Sequence, residues 1–160
     1  MSIDEERRLY IRRHFSIEDI SQALSFLKLV DSVDNKDVRL ALETAAVISY
    51  SRPFSGNNEH LFATSRPSLS FCEEKRKLHE KILRLRHEVY AHSDLQAKDV
   101  FFDWDLVGEF PVGQYYNPMC DFHLLLIPFK ELCENVLRNL KHHQAHFKKK
   151  YQHLNKFRRQ

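Results

Sequence analysis

Residues 78–92, LHEKILRLRHEVYAH, set Leu78, Ile82, Leu85 and Val89 at spacings of four, three and four. Side chains advance about 100° per residue along an α-helix, so these four residues form one apolar stripe. Upstream, Ser70 with Glu73 three residues on fits a capping box that opens this helix. Downstream, His92 lies three residues beyond Val89 and continues the same stripe, which predicts a half-buried imidazole at the helix end. Three glycines and five prolines in 160 residues, against abundant Leu, Glu, Lys and Arg, favour long helices over a turn-rich β fold. A chain of this length fits one domain, 1–160, and can bury a continuous core without disulfides or a structural metal.

The same reading extends outward in both directions. Residues 1–15 form a charged lead-in, unstructured or in part helical, after which Ser16 offers an N-cap with Glu18 and Asp19 in the first turn. Ile20, Ala23, Leu24, Leu27 and Val30 then follow helical spacing to near Ser32. Asp34 is the candidate cap of a second helix whose apolar face is Val38, Ala41, Leu42, Ala45 and Ile48 or Ser49. It stops near Tyr50 or Ser51, because Arg52 precedes Pro53 and a residue before proline avoids the α region. The segment SRPFSGNNEHLFATSRPSLS reads as a long loop. Residues 98–119 form an aromatic-rich insert with two glycines and two prolines, in which a small hairpin or an irregular flap is expected. Phe122, Leu125, Leu126, Phe129, Leu132, Cys133, Val136, Leu137 and Leu140 trace a last helix, kinked or restarted at Pro128, that runs into a basic tail over 141–160. The expected fold is all-α, an up-and-down bundle of four to five helices.

The net charge of +3 conceals an asymmetry. Eight Lys or Arg and no acid follow Asn135, leaving 17 basic and 22 acidic residues before it. Such a basic arm either grips phosphates, docks on the protein's own acidic surface or that of a subunit partner, or is simply a solvated helix end. Cys72, Cys120 and Cys133 are odd in number and widely spaced, which suits a reducing compartment. The N-terminus has no apolar signal core, and the apolar run FHLLLIPF is far short of a membrane span, so a cytoplasmic protein with no membrane partner is expected.

The chemistry concentrates where the third helix ends. Arg86 lies at the border of the stripe, with His87 beside it, Tyr90 one turn later and His79 two turns earlier. For Arg86 a surface pairing with Glu80 or Tyr90 is the structural alternative, and for His92 the capping of terminal carbonyls. Together, an arginine that neutralises a phosphate and a neutral imidazole that moves a proton are the groups phosphoryl chemistry needs.

Arg86-His87-Glu88-Val89-Tyr90-Ala91-His92 resembles the signature of HEPN domains: an arginine, a polar residue, and a histidine a few positions on, late in a helix of a helical bundle. The resemblance covers roughly residues 17–155, with the insert at 98–119 departing from the plan. It implies a metal-independent endoribonuclease without a cofactor, of the kind found among toxins and phage-defence effectors, acting as a homodimer on RNA and in some cases held by a cognate antitoxin. On this chain it implies that Arg86 stabilises charge on the scissile phosphate, that His92 transfers protons with the 2′-hydroxyl, and that His87 assists. Tyr90, Ser93 and Asp94 would border the substrate. Other members of the family have lost cleavage and serve as nucleic-acid or protein interaction modules.

Three further groups carry polar or aromatic chemistry. Arg52, held by its proline at a helix end, is a candidate phosphate contact, although a simple turn explains Pro53 and Pro67 equally well. His142, His143 and His146 have helical spacings that suit a metal, but they sit among lysines without a carboxylate or thiolate, and no metal site is expected. Phe101, Phe102, Trp104, Tyr115 and Tyr116 suit packing better than base stacking.

Overall fold

The computed structural model describes residues 3–55, 69, 71–87, 100–103, 112–115 and 122–151. The elements in chain order are α1 (Ile3–Val30), α2 (Lys36–Ser51), a short 3-10 turn (Arg52–Phe54), α3 (Glu73–Leu85), β1 (Val100–Asp103), β2 (Val112–Tyr115) and α4 (Phe122–Tyr151). The architecture is the all-α bundle that the periodicity predicts, with one two-stranded ribbon inside the insert. In that ribbon β1 pairs antiparallel with β2, Val100 opposite Tyr115 and Asp103 opposite Val112.

α1 starts well before Ser16, so residues 3–15 are helix and not a separate lead-in. Ser16 is buried, and its hydroxyl donates to the Arg12 carbonyl at 2.8 Å, the back-bond by which a serine is accommodated inside a helix. The early turns of α1 are held by the last turns of α4. Tyr10 stacks on Phe147 with ring centroids 4.6 Å apart, and the Lys150 ammonium donates to both Glu6 carboxylate oxygens at 2.8 and 3.0 Å. At the other end Lys130 of α4 pairs with Asp31, just past the end of α1, so the two helices run antiparallel along their length. α1 is antiparallel to α2 as well: Ser49 donates to Gln22, Arg52 to Asp19, and Arg39 near the start of α2 reaches the Val30 carbonyl.

The cap of α2 is Asn35, one residue later than the sequence suggests. Its side-chain oxygen accepts from the Asp37 and Val38 amides at 2.9 and 3.1 Å, satisfying two of the donors a helix start leaves open. The face of α2 turned to the core also differs from the expectation. It carries Glu43, Ala46, Val47 and Tyr50, whereas Val38 is 47% exposed, Ala41 is exposed, and Ala45 and Ile48 are half-buried. The inward stripe contains a carboxylate and a phenol, which mask it as a hydrophobic stripe; Tyr50 is bonded to His79, and Glu43 feels the charges of Arg39 and His123, which stand at the surface. The 3-10 turn is tied back to α1 by Arg12, whose guanidinium donates to the Pro53 carbonyl at 3.3 Å.

α3 begins at Glu73 with Cys72 in the cap position and no side-chain cap bond, so the Ser70 box is not its start; Ser70 lies outside the described residues. Ile82 and Leu85 are buried and Leu78 is half-buried, as the stripe requires. α4 passes through Pro128 as one helix. Pro128 sits on its exposed side with Leu124 and Ile127, where water can satisfy the Leu124 carbonyl that loses its partner. Phe122, Leu126, Phe129, Leu132, Cys133, Val136, Leu137 and Leu140 close the core against Ile20, Ala23, Leu27 and Val30 of α1. Among the described residues no helix is long and apolar enough to cross a membrane.

Replacing Asn35 by Ala should lower stability by about 1 kcal/mol, and replacing Asp34 by Ala should change it by less than about 0.5 kcal/mol. Urea unfolding of the two variants checks the assignment of the cap, and the reverse order would refute it.

Candidate functional site

α3 is fixed to the bundle by one polar contact and a set of rings. The Tyr50 hydroxyl and His79 Nδ1 are hydrogen bonded at 2.8 Å. Tyr50 is fully buried on α2, and its ring packs edge-on against Phe129 of α4, centroids 5.2 Å apart. The imidazole of His79 meets the Phe54 ring edge-on at 4.7 Å and the Phe71 ring at 5.2 Å. Burial pushes the Tyr50 phenol well above its ordinary range, with Cys133 adding to the effect, and burial lowers His79 against a small opposing pull from Glu80. Both partners are therefore neutral near pH 7, and their hydrogen bond is a neutral one.

Seven residues after His79 the same side of α3 carries Arg86, two turns on and about 10 Å along the axis. There the α-helical pattern stops. The Arg86 amide still donates to the Ile82 and Leu83 carbonyls, and Arg86 and His87 form a wide turn of π type. Such turns are rare inside helices and are frequent at functional sites. Arg86 is half-buried and His87 is exposed. His92, Tyr90, Ser93 and Asp94 lie outside the described residues.

Arg52 faces α1. Its guanidinium donates to the Asp19 carboxylate at 3.3 Å and to the Gln22 amide oxygen at 3.2 Å, on the exposed rim where α2 ends. Burial raises the Asp19 carboxyl above its usual range, and the pairing with Arg52 opposes that rise. The structure thus gives Arg52 a structural task, joining α1 to the end of α2. Whether the same side chain meets a phosphate depends on releasing that pair.

Cys133 is buried, and desolvation, helped by Glu134, drives its thiol far above its usual range. It packs as a small apolar group and has no thiolate to offer. His142, His143 and His146 do not converge on a metal-ligand geometry, and no three His, Cys, Asp or Glu side chains among the described residues do.

In the sequence His79 stands out only as a neighbour of Arg86. Its spacing of seven from Arg86 is the available signal; the tyrosine that receives it, 29 positions earlier, is visible only once α2 and α3 are packed. Comparison with protein-family models, with curated proteins and with solved structures finds no match to this chain.

A histidine whose folded-state proton affinity is depressed stabilises the fold fully above its unfolded pKa, and that contribution is lost as the pH falls through the lower folded value. Wild-type stability should therefore drop on acidification from about pH 6.5. The His79→Gln variant, which keeps a partner for Tyr50 but does not titrate, should lose less over the same interval. Urea unfolding at several pH values compares the two, and equal slopes would exclude His79 as the source.

Proposed function

We propose that this chain is a HEPN-like, metal-independent endoribonuclease that works as a homodimer, with Arg86, His87 and His92 as its catalytic set. The observation that supports the reading is that α3 ends at Arg86, half-buried, beside the exposed His87, the first two positions of the Arg-His-x(4)-His run. Arg86 keeps helical backbone angles and its amide bond to the Ile82 carbonyl, so a half-buried guanidinium is presented from a rigid helix end beside an exposed imidazole. The bundle around α3 supplies the rigid frame on which such a site depends.

The chemistry follows from the residue types. An imidazole of His92 removes the proton from a ribose 2′-hydroxyl as the oxygen attacks the neighbouring phosphorus. The P–O2′ bond forms, the P–O5′ bond breaks, and the departing 5′-oxygen takes a proton from a second imidazole, supplied by His87 or by the other subunit's copy of the motif. Arg86 holds the non-bridging oxygens and stabilises the extra negative charge of the phosphorane. The products are a 2′,3′-cyclic phosphate and a 5′-hydroxyl. A two-fold dimer doubles one arginine and two histidines into a set large enough for both proton transfers.

Purified protein incubated with mixed cellular RNA in EDTA should leave 2′,3′-cyclic phosphate ends. Arg86→Ala or His92→Ala should slow cleavage by at least about a hundredfold. Full cleavage by the double variant would overturn the assignment, and absence of cleavage by the wild type would shift the reading to a non-catalytic interaction module of the same fold.

A further inference from the structure

A second site lies where α1 begins and α4 ends. Phe147, at its centre, is about 27 Å along α4 from Phe129, the ring on which Tyr50 rests. Leu9 and Phe147 floor a groove of about 210 Å³, and Arg13, His143, His146 and Lys150 stand around it with Glu6. That volume is below the roughly 300 Å³ of a small-molecule cleft and suits a small polar group.

The charges in the groove are unbalanced. Glu6 is its one carboxylate among the described lining residues, and it is already taken: Lys150 donates to both of its oxygens, and the Tyr151 hydroxyl donates to one of them. Those contacts lower the Glu6 pKa, so it stays an anion that Lys150 neutralises. Arg13 then remains as a cation with no carboxylate of its own among the described lining residues, with the imidazoles of His143 and His146 beside it. Burial disfavours a proton on His143, and Arg13, His142 and His146 disfavour it further. An anion seated between them would relieve this repulsion and draw protons onto the imidazoles.

Rings stand beside these cations. Phe147 lies between Tyr10, stacked at 4.6 Å, and Tyr151, tilted at 4.6 Å. Along the same helix Lys141, Lys148 and Lys149 are exposed. A basic groove with aromatic rings along it is the arrangement that tracks a single nucleic-acid strand, phosphates on the cations and bases against the rings.

We infer that the groove formed by Arg13, His143, His146 and Phe147 binds the phosphates of single-stranded RNA, separately from the Arg86 site. It deepens the nuclease reading by giving the substrate strand a place to be held, yet binding here does not require that the chain cleave.

The test measures binding of a labelled oligouridine to the full chain by fluorescence anisotropy, in an Arg86→Ala, His92→Ala background so that cleavage plays no part. Replacing Arg13, His143 and His146 together by Gln should weaken binding at least about tenfold and flatten the salt dependence by about 0.7 in log–log slope for each phosphate no longer neutralised. Binding by the parent should tighten as the pH falls and His143, whose proton affinity burial depresses, takes up a proton, and the triple variant should lack that change. Circular dichroism and urea unfolding of the triple variant, expected to match those of the parent, serve as the control for folding. Unchanged affinity and slope in the triple variant would overturn the assignment, as would equal affinity for a poly-glutamate peptide or no binding of RNA by the parent at low salt. Absence of RNA cleavage by the wild-type chain, with this binding intact, would instead count against the catalytic reading alone.

Discussion

The hydrogen bond between Tyr50 and His79 is the contact on which the placement of α3 depends. α3 has only thirteen residues and brings few of them into the core, chiefly Ile82 and Leu85. A helix that short gains little from its own propensity and is held by what it packs against. Tyr50 gathers three of the bundle's parts at one point: it belongs to α2, its ring leans on Phe129 of α4, and its hydroxyl ends at His79 of α3. Breaking the pair would bury a phenol oxygen without a partner, a cost of about 1–3 kcal/mol, large beside the few apolar contacts α3 makes. Since Arg86 follows His79 by two turns on the same side, the anchoring of one fixes the direction of the other.

The seam between α1 and α4 performs the equivalent service for the far end of the molecule. It is mixed in character: a stacked Tyr10–Phe147 pair, a Glu6–Lys150 ion pair, and a Gln144–His14 contact. The ion pair is exposed on the lysine side and contributes little by itself. The rings give the seam its apolar content. Two segments that look like solvated charge in one dimension thus become each other's partners, and the residues they do not consume, Arg13, His143 and His146, are left to face the groove. The basic arm is in part spent on the protein's own acidic residue and in part available for an outside anion.

Much of this fold is legible in the sequence, and the exceptions are instructive. The helical class, the α3 stripe and the core residues of α4 follow from period; α2 ends at Ser51 as expected, but not because Arg52 avoids the α region before Pro53, since Arg52 stays in it and the chain runs on into the 3-10 turn. The start of α1 is misplaced in a sequence reading because Ser16, Glu18 and Asp19 imitate a helix opening; nothing local distinguishes a capping serine from one bonded back to the carbonyl four residues earlier. The face of α2 comes out rotated because hydropathy ranks Val38 and Ala41 above Glu43 and Tyr50, whereas Tyr50 is buried with His79 as its hydrogen-bond partner and Glu43 lies on the same face. The unbroken passage of α4 through Pro128 shows the same thing from outside, since a proline on the wet side of a helix leaves its orphaned carbonyl to water. Of the candidate site, Arg86, His87 and Arg52 can be named from sequence, and the structure separates them by environment: Arg52 is bound to α1, while Arg86 and His87 share the wide turn. The Tyr50–His79 contact is beyond sequence reasoning, being a polar pair between two helices that no period connects.

The claim that one neutral hydrogen bond sets α3 is open to a single direct measurement, a double-mutant cycle in which Tyr50→Phe, His79→Phe and the combined variant are unfolded in urea near pH 7.5. Each single change strands a buried polar group and the double change strands none, so the two losses should fall short of additivity by about 1–2 kcal/mol. Additive losses would mean that the two side chains do not depend on each other, and that α3 takes its position from apolar packing alone.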